Sequence, residues 1–176
     1  MLHKYRMALT QQGKDKLSGR LEVDEWFHGG VAKAGNAFTG KSLVVAAVET
    51  GRRGWGRIRL GVVPNRGGWE LRKFITANVE KGSHVVTDAH SGYLSALAGY
   101  THEPRNETVP GAPEAYTLLP AVHRVFSLAE RWLLGTHQGG VQREHLQSYL
   151  DEFTSAGTGA TPTTVDYCSC GCSNTR

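Results

Sequence analysis

The chain has 176 residues, 39% hydrophobic and 20% charged, with 20 Lys and Arg against 16 Asp and Glu for a net charge of +4. That length suits one domain with tails, and the composition excludes a chain disordered throughout. The longest purely apolar run, Leu43 to Val48, has six residues against the roughly 20 of a membrane span, which excludes an integral membrane protein.

Residues 1–20 read as a short polar helix and linker, too poor in apolar surface to fold alone, so the chain is expected to begin inside something larger. Leu21 to Asp24 reads as a short strand. Ser42–Glu49 is a β-branched run suited to a central buried strand. After the turn Gly51-Arg-Arg-Gly54, Arg57 to Val63 alternates charged and apolar residues, as a strand with one wet face does. Trp69 to Val79 places Leu71, Phe74, Ile75 and Val79 at helical spacing. His84 to Asp88 reads as a strand ending in an acid, and Ser91 to Leu97 as a short helix. Residues 101–119, with three prolines, read as a loop. Val122, Val125, Phe126, Ala129, Trp132 and Leu133 stripe one helix, which Gly135 and Gly139–Gly140 end, and Leu146, Tyr149, Leu150 and Phe153 stripe another. The order predicts an α/β fold, a mixed sheet flanked by helices, over residues 21–154, with residues 155–176 as an unstructured tail.

The positive charge is local. Residues 51–73 carry Arg52, Arg53, Arg57, Arg59, Arg66, Arg72 and Lys73 against Glu70 alone. Basic segments on a chain whose remainder is acidic suit a polyanion, DNA above all.

Two acids stand at strand ends, Asp24 in LEVDEWFHGG and Asp88 in HVVTDAHSGY. If those strands are neighbours, both carboxylates emerge at one sheet edge, where a cation between them relieves their repulsion. Mg²⁺ takes hard oxygen ligands and keeps room for phosphate oxygens, and Mn²⁺ serves the same donors. Alone, a strand-end aspartate is usually a turn or cap residue. Alternation sends Glu25 to the opposite face, so it is left out of the metal set, and Glu22 reads as a surface charge. On the helix at 122–134, His123, Ser127 and Glu130 share one polar stripe. His123 and Glu130, about 10 Å apart along the axis, would not ligate the same ion. The candidate catalytic set is Asp24, Asp88 and His123, with Glu130 as the alternative metal ligand and Arg52, Arg53, Arg57 and Arg59 as DNA contacts.

Four blocks in order, LSGRLEVDEWFHGG, GKSLVVAAVE, ITANVEKGSHVVTDAHSGY and HRVFSLAERWLLGTHQGGVQREHLQSYLDEF, resemble the catalytic domain of ISXO-like bacterial insertion-sequence transposases, in the DDE superfamily. The resemblance covers about residues 15–154. It implies a ribonuclease-H-like fold and a Mg²⁺-dependent DNA strand-transfer enzyme acting on element ends and target DNA, as a multimer on paired ends. Asp24 and Asp88 match the family's first two catalytic acids. At the third position, normally Glu or Asn, stands His123. Seven residues on, where the family has Lys, stands Glu130, which would repel phosphate.

The resemblance implies an N-terminal zinc ribbon before this domain, of which residues 1–20 are expected to hold only a remnant, and a last helix that continues into an arginine-rich stretch. Here the Thr/Gly/Cys-rich residues after Thr154 suggest a shifted reading frame. Three readings therefore stand: an active transposase domain, a catalytically inactive DNA-binding fragment, and a host-serving ribonuclease-H-like nuclease. The three cysteines, confined to 168–172, lack the spacing and fourth ligand of structural zinc. With no charged-then-apolar leader, they point to a cytoplasmic location. His137 and His145 read as loop and helix-surface residues. Trp26, Trp55, Trp69 and Trp132 offer rings for base stacking, though Trp132 fits a core.

Overall fold

The computed structural model describes residues 15–29, 41–51, 54–106, 115–137, 141 and 143–158. Among the described residues, five strands and five helices follow in the order β1 (Arg20–His28), β2 (Ser42–Gly51), β3 (Gly54–Val63), α1 (Gly68–Asn78), β4 (His84–Asp88), α2 (Gly92–Ala96), β5 (Thr101–Arg105), α3 (Ala115–Leu118), α4 (Pro120–His137) and α5 (Arg143–Thr158). The strands form one sheet in the order β3-β2-β1-β4-β5. β1 and β3 both run antiparallel to β2, while β4 is parallel to β1 and to β5. This is the mixed α/β sheet with flanking helices that the ribonuclease-H-like expectation requires.

β1 lies mid-sheet and is covered on both faces, so its alternation sorts two cores. Leu21 and Val23 join Val45, Ala47 and Val85 beneath Leu71, Phe74 and Ile75 of α1 and Tyr93 of α2. Trp26 joins Val44, Ala46, Val48 and Val86 beneath Val122, Phe126, Ala129 and Leu133 of α4 and Leu146 and Leu150 of α5. Gly61 leaves room for the Phe74 ring: a Cβ there would fall 2.7 Å from Phe74 Cδ2.

Several elements extend beyond their expected bounds. The body starts before residue 21: Leu17 is fully buried and bridges Val79. Residues 101–105, expected as loop, form the edge strand β5. Gly135 does not end its helix, since α4 runs to His137, and α5 runs to Thr158. The first 14 residues, Gly30, Gly139–Gly140 and the cysteine-bearing segment lie outside the described residues.

The β3 edge is capped by a side chain. Gln147 of α5 accepts from Val62 N–H at 2.8 Å and donates to the Leu60 carbonyl at 3.2 Å, so one amide imitates a neighbouring strand and closes the edge to intermolecular pairing. Among the described residues, no helix is long and apolar enough to cross a membrane.

Candidate active site

The parallel ladder pairs Arg20 with His84, Leu21 with Val85 and Glu22 with Val86. The same offset, carried two residues further, sets Asp24 beside Asp88, where β4 ends. Carboxyl ends of parallel strands are the usual crevice in such sheets. Oxygen atoms of Asp24, Glu25 and Asp88 all lie within 4.8 Å of one another.

Glu25 is the member that sequence reasoning left out. Its side chain does leave the face opposite Asp24, against Tyr93. β4 ends at Asp88, however, and the Asp24 and Glu25 carboxylates both come within 4.8 Å of its oxygens. The Glu25 side chain is 1% exposed. It accepts from Arg66 Nε on one oxygen and from the Tyr93 hydroxyl on the other. Burial, then the charges of Glu25 and Asp24, push Tyr93 well above its ordinary pKa, so it stays a hydroxyl donor. Arg66 also reaches Asp88 Oδ2 at 3.5 Å. Burial works against its charge, but Glu25 and Asp88 outweigh it and raise its pKa.

Backbone amides orient the two aspartates. Asp24 Oδ1 accepts from Glu25 N–H at 2.8 Å, and Asp88 Oδ1 accepts from His90 N–H at 3.1 Å, an Asx-type turn leading into α2.

α4 is set along the even-numbered face of β1. Glu22, expected at the surface, is buried, and its Oε2 accepts from Ala121 N–H at 2.7 Å and Val122 N–H at 3.0 Å. A carboxylate on the free amides of a helix start satisfies donors the helix cannot and complements its dipole. One residue past Val122, His123 Nε2 lies 3.4 Å from Asp24 Oδ2. Next, the Trp26 and Phe126 rings stack 4.4 Å apart. Glu130 comes last; it is exposed and its charge acts on His28. His28 is lowered by burial, with Glu130 opposing. Glu130 is two turns further along α4 than His123, which is the residue that meets Asp24.

The arginines divide similarly. Arg57 donates to both Glu49 oxygens, at 3.0 and 2.7 Å, and to the Lys16 carbonyl at 3.1 Å. Arg59 donates to the Asp15 carbonyl at 3.0 Å. Their neighbours Ile58 and Leu60 belong to the core under α4 and α5, so both arginines leave the sheet face opposite Asp24 and pin residues 15–16. Arg52 and Arg53 lie outside the described residues.

The donor set fits a hard divalent cation. Two oxygens on one octahedral Mg²⁺ sit about 3 Å apart when adjacent and about 4.2 Å when opposite, given metal–oxygen distances near 2.1 Å. Separations within 4.8 Å need only a small contraction.

Residues 16–154 match the family description of the ISXO2-like transposase domain. No curated protein and no solved structure matches the chain. The match runs from the segment that pins Leu17 to the body through the helix that caps β3, and it takes in both aspartates and the histidine beside them. With four-fifths of its length so covered, the chain belongs to the ISXO2-like transposase domain family.

Proposed function

We propose that this domain cuts and joins DNA strands for an insertion sequence, using a divalent cation, Mg²⁺ or Mn²⁺, held by Asp24 and Asp88. The observation that carries the reading is the convergence of those two residues at the end of β4, with oxygens within 4.8 Å. Water attacks the phosphodiester at an element end, and the freed 3′-hydroxyl then attacks target DNA. A divalent ion there supplies charge stabilisation at the reacting phosphate.

The protein's own groups do the rest. Asp24 and Asp88, oriented by backbone amides, present oxygens toward the crevice. Glu25 closes the cluster from below, already satisfied by Arg66 and Tyr93. His123 occupies the third position beside Asp24, where it can hold a proton on Nε2 or, deprotonated, offer a nitrogen ligand. Glu130, two turns further along α4, suits a role other than ligation of this ion. For Arg57 and Arg59 to contact phosphates they must leave Glu49 and the carbonyls of residues 15–16. Assembly on paired DNA ends and a cytoplasmic location go with this reading.

A second reading, a DNA-binding domain without catalysis, is favoured by the exposed acid Glu130 where the family's lysine would face phosphate. A nicking assay on the purified chain with an element-end duplex separates the two. Mg²⁺-dependent nicking that Asp88→Asn abolishes supports the enzyme; DNA binding with no nicking supports the inactive domain.

A further inference from the structure

Three carboxylates converge at the end of β4, and one guanidinium lies among them. Arg66 bonds to the buried Glu25 through Nε and reaches Asp88 through Nη2 at 3.5 Å. Its backbone is held as firmly as its side chain. Asn65 Oδ1 accepts from Gly67 N–H at 2.7 Å, fixing the turn around Arg66. A Cβ at Gly92 would fall 2.8 Å from the Arg66 carbonyl oxygen, so only glycine lets α2 close over this loop. Glu25 has a donor on each oxygen. Its charge is already answered by Arg66, whereas the Arg66 contact with Asp88 is long and at the edge of hydrogen-bond range.

We infer that Arg66 is the built-in counter-cation of this cluster: it holds Glu25 and Asp88 together when no metal is bound, and it weakens binding of the first divalent ion by competing for Asp88. The inference rests on the metal reading above. The physical ground is that like charges a few ångströms apart raise one another's energy and any nearby cation relieves it. Arg66 and a metal ion serve the same charges, so each makes the other less necessary.

The test is Mn²⁺ binding to the full chain, by titration calorimetry and by the loss of the free-ion paramagnetic resonance signal, with thermal melting in parallel. In Arg66→Gln, Mn²⁺ is expected to bind about tenfold tighter, as removal of a neighbouring unit charge at a partly solvated site implies. The variant should melt lower than wild type without metal and recover most of that deficit with saturating Mn²⁺. Should Arg66→Gln fail to fold without metal, Arg66→Lys carries the test. Lysine keeps the charge but cannot fork between Glu25 and Asp88, and is expected to bind Mn²⁺ about threefold tighter than wild type, between the other two chains. Equal or weaker Mn²⁺ binding in the variants, or a melting deficit that Mn²⁺ leaves unchanged, overturns the inference and leaves the metal reading standing. No Mn²⁺ binding by any of the chains overturns both.

Discussion

His123 Nε2 stands 3.4 Å from Asp24 Oδ2, although they are 99 positions apart in the chain and belong to different layers of the fold. The contact follows from how α4 is hung on β1. Glu22 takes the first amides of the helix, and Trp26 packs on Phe126 one turn beyond. Two fixed points on either side leave His123 little choice but to meet Asp24.

Replacing His123 should therefore cost activity more than stability. His123→Ala is expected to lower nicking roughly 10- to 100-fold, the usual effect of losing a partner that orients a metal-binding carboxylate. His123→Asn, which restores a polar group of similar reach, should recover part of it. Single-turnover rates on an end duplex measure both, and an unchanged rate in His123→Ala would remove the residue from the site.

Asp24 and Glu25 are neighbours with opposite expected effects on folding. Glu25→Gln takes the charge from a buried carboxylate that accepts from Arg66 and Tyr93 and should destabilise by about 2 kcal/mol, because hydrogen bonds to a charged acceptor are weakened and the partly exposed Arg66 is left with a distant partner. Asp24→Asn relieves carboxylate crowding and should leave stability within about 1 kcal/mol of wild type, or raise it, while abolishing cleavage. Urea denaturation of the two variants side by side reads the difference; equal destabilisation would contradict the assigned contacts.

Much of this arrangement was readable in the sequence, and the misses have common causes. β2 and β4 are legible because their β-branched runs are buried and bounded by turn residues. β5 is not legible because Thr-His-Glu-Pro-Arg has no apolar alternation. Its place is set instead by β4 backbone pairing and by Glu103, which binds Arg20, His84 and Arg105 across three strands. Gly135 looked like a helix stop, yet the apolar stripe through Leu133 overrides one glycine. At the site, the acids at strand ends signalled themselves by position. Arg66 and Tyr93 did not, for they reach Glu25 from 41 and 68 residues away. Glu22 reads as a surface charge because nothing local tells that its carboxylate serves a helix start about 100 residues on.

Gln147 provides a test of the edge cap. Gln147→Ala removes both hydrogen bonds to β3 and should cost about 1–2 kcal/mol, since Val62 N–H and the Leu60 carbonyl lose their partner. The opened edge should also raise concentration-dependent association in light scattering. A variant as stable and as monodisperse as wild type would refute the capping role.

Glu103 predicts an acid limb in stability. Hydrogen bonding from Arg20 above all, with Arg105 and His84, outweighs burial and holds its carboxyl down at about 2 against an ordinary 4.5. The unfolded chain therefore takes up this proton first, so stability falls as pH drops from about 4.5 toward about 2, and is fully present above 4.5. Glu103→Gln should flatten that limb. At neutral pH it should cost less than about 1 kcal/mol, because the cluster is exposed and screened, and high salt should shrink the difference further. An unaltered limb in the variant would assign it to other acids.

The central claim is that Asp24 and Asp88 grip one divalent ion at the end of β4. Anomalous diffraction from crystals soaked in Mn²⁺ tests it most directly. The expected result is a manganese peak about 2.2 Å from an oxygen of each aspartate, lost in crystals of Asp88→Asn. A chain that takes up Mn²⁺ with no peak between those two carboxylates, or with its peak elsewhere on the molecule, would contradict it.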